Sequence, residues 1–147
     1  MRTTVPIVAA LLALGACGDS GPIRPAAMAA TVRLAAVPGR PAAGYFELRI
    51  DGDRGALTEV TSLQAGRIEM HETMRAGAMS SMRPITRLSV RDGDMLRFAP
   101  GGRHLMLYDV DTAVRPGGRI DLVFHFERGN PETIAARVVP TGGDVGP

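Results

Sequence analysis

Between residues 31 and 139 the chain alternates short β-type runs with breaks rich in glycine and proline, and no stretch carries a sustained helical period. β-Branched and apolar runs occur at 31–37, 45–50, 56–62, 66–74, 85–90, 94–100, 103–110, 119–127 and 133–139. The clearest is YFELRI, where Tyr45, Glu47 and Arg49 alternate with Phe46, Leu48 and Ile50, as a strand with one wet face requires. Between the runs stand PGRPAAG, DGDRG, RDG, PGG, RPGG and RGNP. Gly in such breaks supplies positive φ and Pro pre-sets φ for a turn. Regular short strands punctuated in this way predict an all-β sandwich or barrel. Residues 75–84, RAGAMSSMRP, lack the alternation and read as a loop.

The N-terminal residues fall outside that domain. Arg2 precedes VPIVAALLAL (5–14), an apolar run too short to span a bilayer, and LGAC (14–17) follows it. This reads as a secretory signal peptide over residues 1–17. Gly15 and Ala16 before Cys17 resemble the box of bacterial lipoproteins, in which the cysteine is lipidated and becomes the first mature residue. A plain signal peptide cleaved after Ala27 or Ala30 is the alternative. Residues 18–30 read as a flexible tether, 31–140 as the domain, and 141–147 as a disordered tail. Cys17 is the single cysteine, so the domain has no internal disulfide and no thiolate for a nucleophile or a metal.

The 17 basic residues are all arginines, scattered along the chain and nearly balanced by 15 acidic ones. Aromatic residues are few and not interleaved with them, so nothing points to nucleic acid as a partner. No nucleophile–His–carboxylate set and no paired carboxylates in a recognisable context stand out, so the chain is not expected to be an enzyme.

What does stand out is a sparse set of histidines, His71, His104 and His125, beside many methionines. In RHLM, His104 and Met106 are two apart, so a strand projects both from one face. On that pair alone, Met106 as core and His104 as a satisfied polar group is the plain reading, and half of a soft-metal site is the other. His71 in EMHETM and Met82 in SSMRP would add a second imidazole and thioether if strands 66–74 and 103–110 are neighbours. Thioethers are soft, neutral donors that select copper(I). Zinc sites instead use Cys, His and carboxylate. A blue-copper site needs a Cys thiolate, which the domain lacks.

The spacing is His71, ten residues, Met82, twenty-one residues, His104, one residue, Met106. With MHET at 70–73, MRP at 82–84 and PGGRHLML at 100–107, it resembles the periplasmic copper chaperone family known as PCuAC over roughly residues 31–139. The resemblance implies a cupredoxin-like Greek-key sandwich. It implies that His71, Met82, His104 and Met106 hold one copper(I) at an exposed edge. It also implies a copper-recipient partner, such as the dinuclear copper centre of a terminal oxidase or another copper chaperone. The lipoprotein-like box at residues 14–17 adds a lipid anchor at Cys17 that holds the domain at a periplasmic membrane. Some members carry a His- and Met-rich C-terminal extension for a second copper; PTGGDVGP has neither residue, so that site is expected to be missing. A general periplasmic copper buffer and a metal-free β-sandwich interaction module are the competing readings. Met74 and Met79 are either a copper-entry surface or ordinary packing. Met70 and Met95 are expected in the core and His125 in solvent. Arg83 and Arg103 flank ligands and either orient a partner or form a solvated face.

Overall fold

The computed structural model describes residues 29–146. The residues read as a signal peptide, Cys17 among them, and most of those read as a tether lie outside the described residues. Ten strands follow in order: β1 (Ala29–Arg33), β2 (Ala42–Arg49), β3 (Ala56–Thr61), β4 (Ala65–Ala76), β5 (Met79–Ile85), β6 (Leu88–Ser89), β7 (Met95–Phe98), β8 (Arg103–Val110), β9 (Arg119–Phe126) and β10 (Glu132–Val139). Among the described residues there is no helix. Hydrogen bonding links them in the order β5-β4-β8-β2-β1-β10-β9-β3-β6, with β7 also on β2. The β1–β10 pair is parallel and the other pairs are antiparallel.

The two halves of this path close on one apolar core. Phe46 of β2 stacks on Phe98 of β7 with ring centroids 4.4 Å apart, and meets Phe124 of β9 edge-on at 4.8 Å. Alternation supplies the remainder: Ile120 and Leu122 on β9, Ile134, Ala136 and Val138 on β10, and Leu105 and Leu107 on β8 are all buried. On β3 the period breaks, because Leu57 and Val60 both face the core. A register shift between Leu57 and Glu59 accommodates them.

Three features depart from the sequence reading. Residues 79–85 are a strand rather than part of a loop, and β4 and β5 form a hairpin whose turn is Gly77–Ala78. Gly77 has φ 61°, the positive value a two-residue hairpin turn needs at its first central position. β1 begins at Ala29, two residues before the expected domain start. Residues 141–146, expected to be disordered, form a turn tied to the domain: Thr141 Oγ1 donates to the Leu34 carbonyl at 2.9 Å and Arg137 donates to the Asp144 carbonyl at 3.4 Å.

One irregularity positions the site. β7 and β8 both pair with the same edge of β2, through Phe46↔Phe98 and then Gly44↔Leu105. Between these pairs β2 advances two residues and the facing chain seven. The surplus bulges out as Ala99–His104, closed by Ala99 N–H to the Arg103 carbonyl (2.8 Å) and Gly102 N–H to the Ala99 carbonyl (3.1 Å).

Candidate metal centre

β8, β4 and β5 lie side by side, so cross-strand register decides which side chains share a face. His71 is directly opposite His104. Two residues along, Thr73 faces Met82; two residues the other way, Glu69 faces Met106. Because residues i and i+2 share a face, His71, Met82, His104 and Met106 all project from the same side of the three strands. The two imidazoles are central, with ring centroids 6.0 Å apart, and a thioether stands on each diagonal of His71. The alternate residues Met70, Leu105 and Leu107 point inward and are buried in the core.

Both imidazoles are fixed by an acceptor on one ring nitrogen. His71 Nε2 lies 3.1 Å from Glu69 Oε2. A carboxylate only accepts, so Nε2 carries the proton and Nδ1 carries the lone pair. Nδ1 is buried and has no hydrogen-bond partner, an unusual state for a buried polar atom. His104 Nδ1 lies 3.1 Å from the Gly102 carbonyl, so Nδ1 donates there and the lone pair falls on Nε2. The same carbonyl accepts Thr73 N–H at 3.1 Å, which ties the Ala99–His104 bulge to β4. Metal-binding histidines are held in this way, with the other N–H given to a carboxylate or backbone carbonyl.

Glu69 is itself held in place. The His71 hydrogen bond above all keeps its carboxyl below the usual carboxylate range; desolvation, the next effect in size, opposes this, and Tyr108 and the Arg67 charge reinforce it. Burial first, then the neighbouring Glu69, pushes the Tyr108 phenol up. Tyr108 Oη also lies 3.8 Å from Met106 Sδ, and Arg67 covers the Tyr108 ring at 4.2 Å.

Accessibility divides the four candidates. His104 is buried and Met106 half-buried, while Met82 is 60 % exposed at the sheet edge. Met82, His104 and Met106 line one shallow cavity with Pro41, Ala43, Tyr45, Thr73 and Gly101, while His71, paired opposite His104, is not part of that lining. Among the described residues no three His, Cys, Asp or Glu side chains converge as a metal site. The soft donors that flank the two histidines are the thioethers of Met82 and Met106.

The LpqE-like family, described as "Putative lipoprotein LpqE-like", matches residues 23–138. The chain belongs to the LpqE-like family. The "Putative lipoprotein Lxx21020" of Leifsonia xyli subsp. xyli is 29% identical over 84 residues, 56% of this chain and 51% of that protein. The match thus spans about half the length of that relative. Among solved structures, the copper-bound PCuAC domain from PmoF2 aligns with TM-score 0.61 and 21% identity over 77% of this chain and 91% of that one. The copper(I) form of DR1885 from Deinococcus radiodurans aligns with TM-score 0.61 and 22% identity over 84% and 83%. This LpqE-like chain therefore has the PCuAC fold, and the all-β, cupredoxin-like architecture expected from its strands and motif is borne out.

Several expectations for individual residues of the LpqE-like domain are revised. Met82 sits on β5 rather than in a loop, so its freedom comes from edge exposure. Met95, expected in the core, is 53% exposed, while Met70 is buried as expected. Met74 and Met79 are exposed, so neither belongs to the core. His125 is half-buried and lies 2.8 Å from Thr61 Oγ1 rather than standing free in solvent. Arg83 and Arg103 both reach Glu72, at 3.1 and 3.4 Å. The sequence reading missed Glu69 and Tyr108. Each is two residues from a candidate ligand on the same face, so strand alternation was the signal that held them.

Proposed function

We propose that this protein is a copper(I)-binding chaperone whose cargo is held by His71 Nδ1, His104 Nε2 and the thioethers of Met82 and Met106. One observation carries the reading: two imidazoles on one sheet face each have their N–H committed elsewhere and a lone pair left over, with a thioether on either flank. All four donors are neutral and two are soft, which favours the reduced ion over copper(II). The copper-bound PCuAC domain from PmoF2 and the copper(I) form of DR1885, which share the fold, support copper as the ion. Met82, exposed on an edge strand, is the donor best placed to leave while a recipient's ligand enters, so the domain carries copper and performs no catalysis. The family description as a lipoprotein supports a lipid anchor at Cys17 and a place in the periplasm. A membrane-bound copper acceptor, such as the dinuclear copper centre of a terminal oxidase, is the recipient that such an anchor favours.

X-ray absorption on the copper(I)-loaded domain tests the site. Sulfur and nitrogen scatterers together are expected. A shell of nitrogen and oxygen alone, or unchanged copper(I) affinity in the double variant Met82→Ala with Met106→Ala, would sink the proposal. For the anchor, Cys17→Ser is expected to release the protein from membranes; equal membrane retention would refute lipidation.

A further inference from the structure

Six large hydrophobic side chains are exposed among the described residues, and three of them, Met74, Met79 and Met82, occur on the β4–β5 hairpin. A methionine stabilises a fold by being buried, and an exposed strand gains nothing from methionine that threonine would not provide. Met82 belongs to the candidate centre already described. Met74 and Met79 do not. Met74 faces Ser81, and Ala76 faces Met79. The even-numbered residues of β4 project from the face opposite His71, so Met74 and Met79 share that far face as diagonal neighbours. Diagonal Cβ atoms are about 7 Å apart, and long side chains bridge that gap. Only the small Ser81 and Ala76 lie between, so both sulfurs are free to converge on one ion. Two guanidiniums on this face, Arg83 and Arg103, are both directed to Glu72, which offsets part of their repulsion of a cation.

We propose that Met74 and Met79 form a second soft-metal site, a two-thioether clamp for a monovalent d10 ion on the far face of the hairpin. The site rests on the proposed copper function only for the identity of its physiological ion; the donor geometry stands on its own. With two neutral donors and no imidazole it binds more weakly than the His71–His104 face. It lies beside the same free edge that exposes Met82, so an ion captured there has a short path around β5 to the primary ligands.

Silver(I), a redox-inert soft ion, is the probe. The domain carrying 13C-labelled methionine methyls is titrated with silver(I) and followed by NMR. The Met82 and Met106 methyls are expected to shift with the first equivalent, and those of Met74 and Met79 with the second. In Met74→Leu with Met79→Leu, both positions being exposed, the second equivalent should be lost and the first retained. In His71→Ala with His104→Ala, continued movement of the Met74 and Met79 methyls supports the clamp even if the primary reading has failed. Met74 and Met79 methyls that stay still throughout, or a second equivalent that survives the Leu variant, would overturn it.

Discussion

At the scale of single residues, the decisive group is one that binds nothing itself. Glu69 accepts from His71 Nε2 and thereby leaves the Nδ1 lone pair as the available donor. Were the proton to move to Nδ1, that lone pair would vanish and the remaining one would point at a carboxylate. Losing such an orienting partner commonly lowers metal affinity by about 10–100-fold. Glu69→Leu is therefore expected to weaken copper(I) binding within that range, and Glu69→Gln, which keeps an acceptor, considerably less. Long-range 15N NMR on the metal-free protein reads the cause directly. The Nε2–H tautomer of His71 should dominate in the parent and become mixed in Glu69→Leu. An unchanged tautomer would remove the argument. Glu69 was legible in principle, since strand alternation puts it beside His71. The Gly102 carbonyl that orients His104 was not, because a backbone acceptor has no residue-type signature and depends on the shape of the bulge.

At the scale of elements, the sequence showed the strands that bury one face and hid the hairpin strand that buries neither. The sequence predicts a strand over 103–110, and β8 is Arg103–Val110, because buried Leu105 and Leu107 alternate with His104 and Met106. β5 reads MSSMRPI and is exposed along nearly its whole length, so hydrophobic periodicity had nothing to report. Its Pro84 resembles a breaker, yet an edge strand tolerates proline because its outer side needs no donor. The Ala99–His104 bulge was legible only as the turn signal PGG. Its function follows from its geometry. Gly101 has φ 80°, and a Cβ there would sit 3.4 Å from an Arg75 guanidinium nitrogen. An L-residue in that conformation costs about 1–2 kcal/mol. Gly101→Ala should therefore shift the neighbouring Gly102 carbonyl, loosen His104 and weaken copper(I) binding, while circular dichroism stays all-β. Wild-type affinity in Gly101→Ala would show that the bulge does not position the ligand.

At the scale of the whole molecule, stability and the candidate site occupy opposite faces of the same strands. Leu105 is fully buried and its chain neighbours His104 and Met106 project outward. Leu105→Ala is expected to cost roughly 2–5 kcal/mol in urea unfolding. Met82→Ala, at an exposed edge, should leave the unfolding midpoint nearly unchanged while weakening copper(I) binding. A reversal of those two effects would contradict the division.

The response to acid tests how the end of β9 is tied to the start of β6. Glu127 follows β9, and Arg87 precedes β6. Arg87 grips Glu127 with both arms, Nε to Oε1 at 2.7 Å and an Nη to Oε2 at 2.9 Å. These hydrogen bonds above all keep the Glu127 carboxyl below the ordinary carboxylate range, and they raise the Arg87 guanidinium. A carboxyl whose folded value is depressed adds stability above its unfolded value and loses it as pH falls through the folded one. Arg87→Met should therefore unfold at lower urea than the parent near pH 7. The gap should narrow between neutral pH and an acid pH below the depressed folded value of Glu127, where the protonated carboxyl no longer attracts the guanidinium. It should not close fully, because Arg87 also donates to Ser89 Oγ at 2.9 Å, a bond indifferent to acid. The pair is exposed, so the effect is small and high salt should shrink it further. A parent–variant gap of the same size at both pH values would show that Ser89, rather than Glu127, accounts for whatever Arg87 contributes.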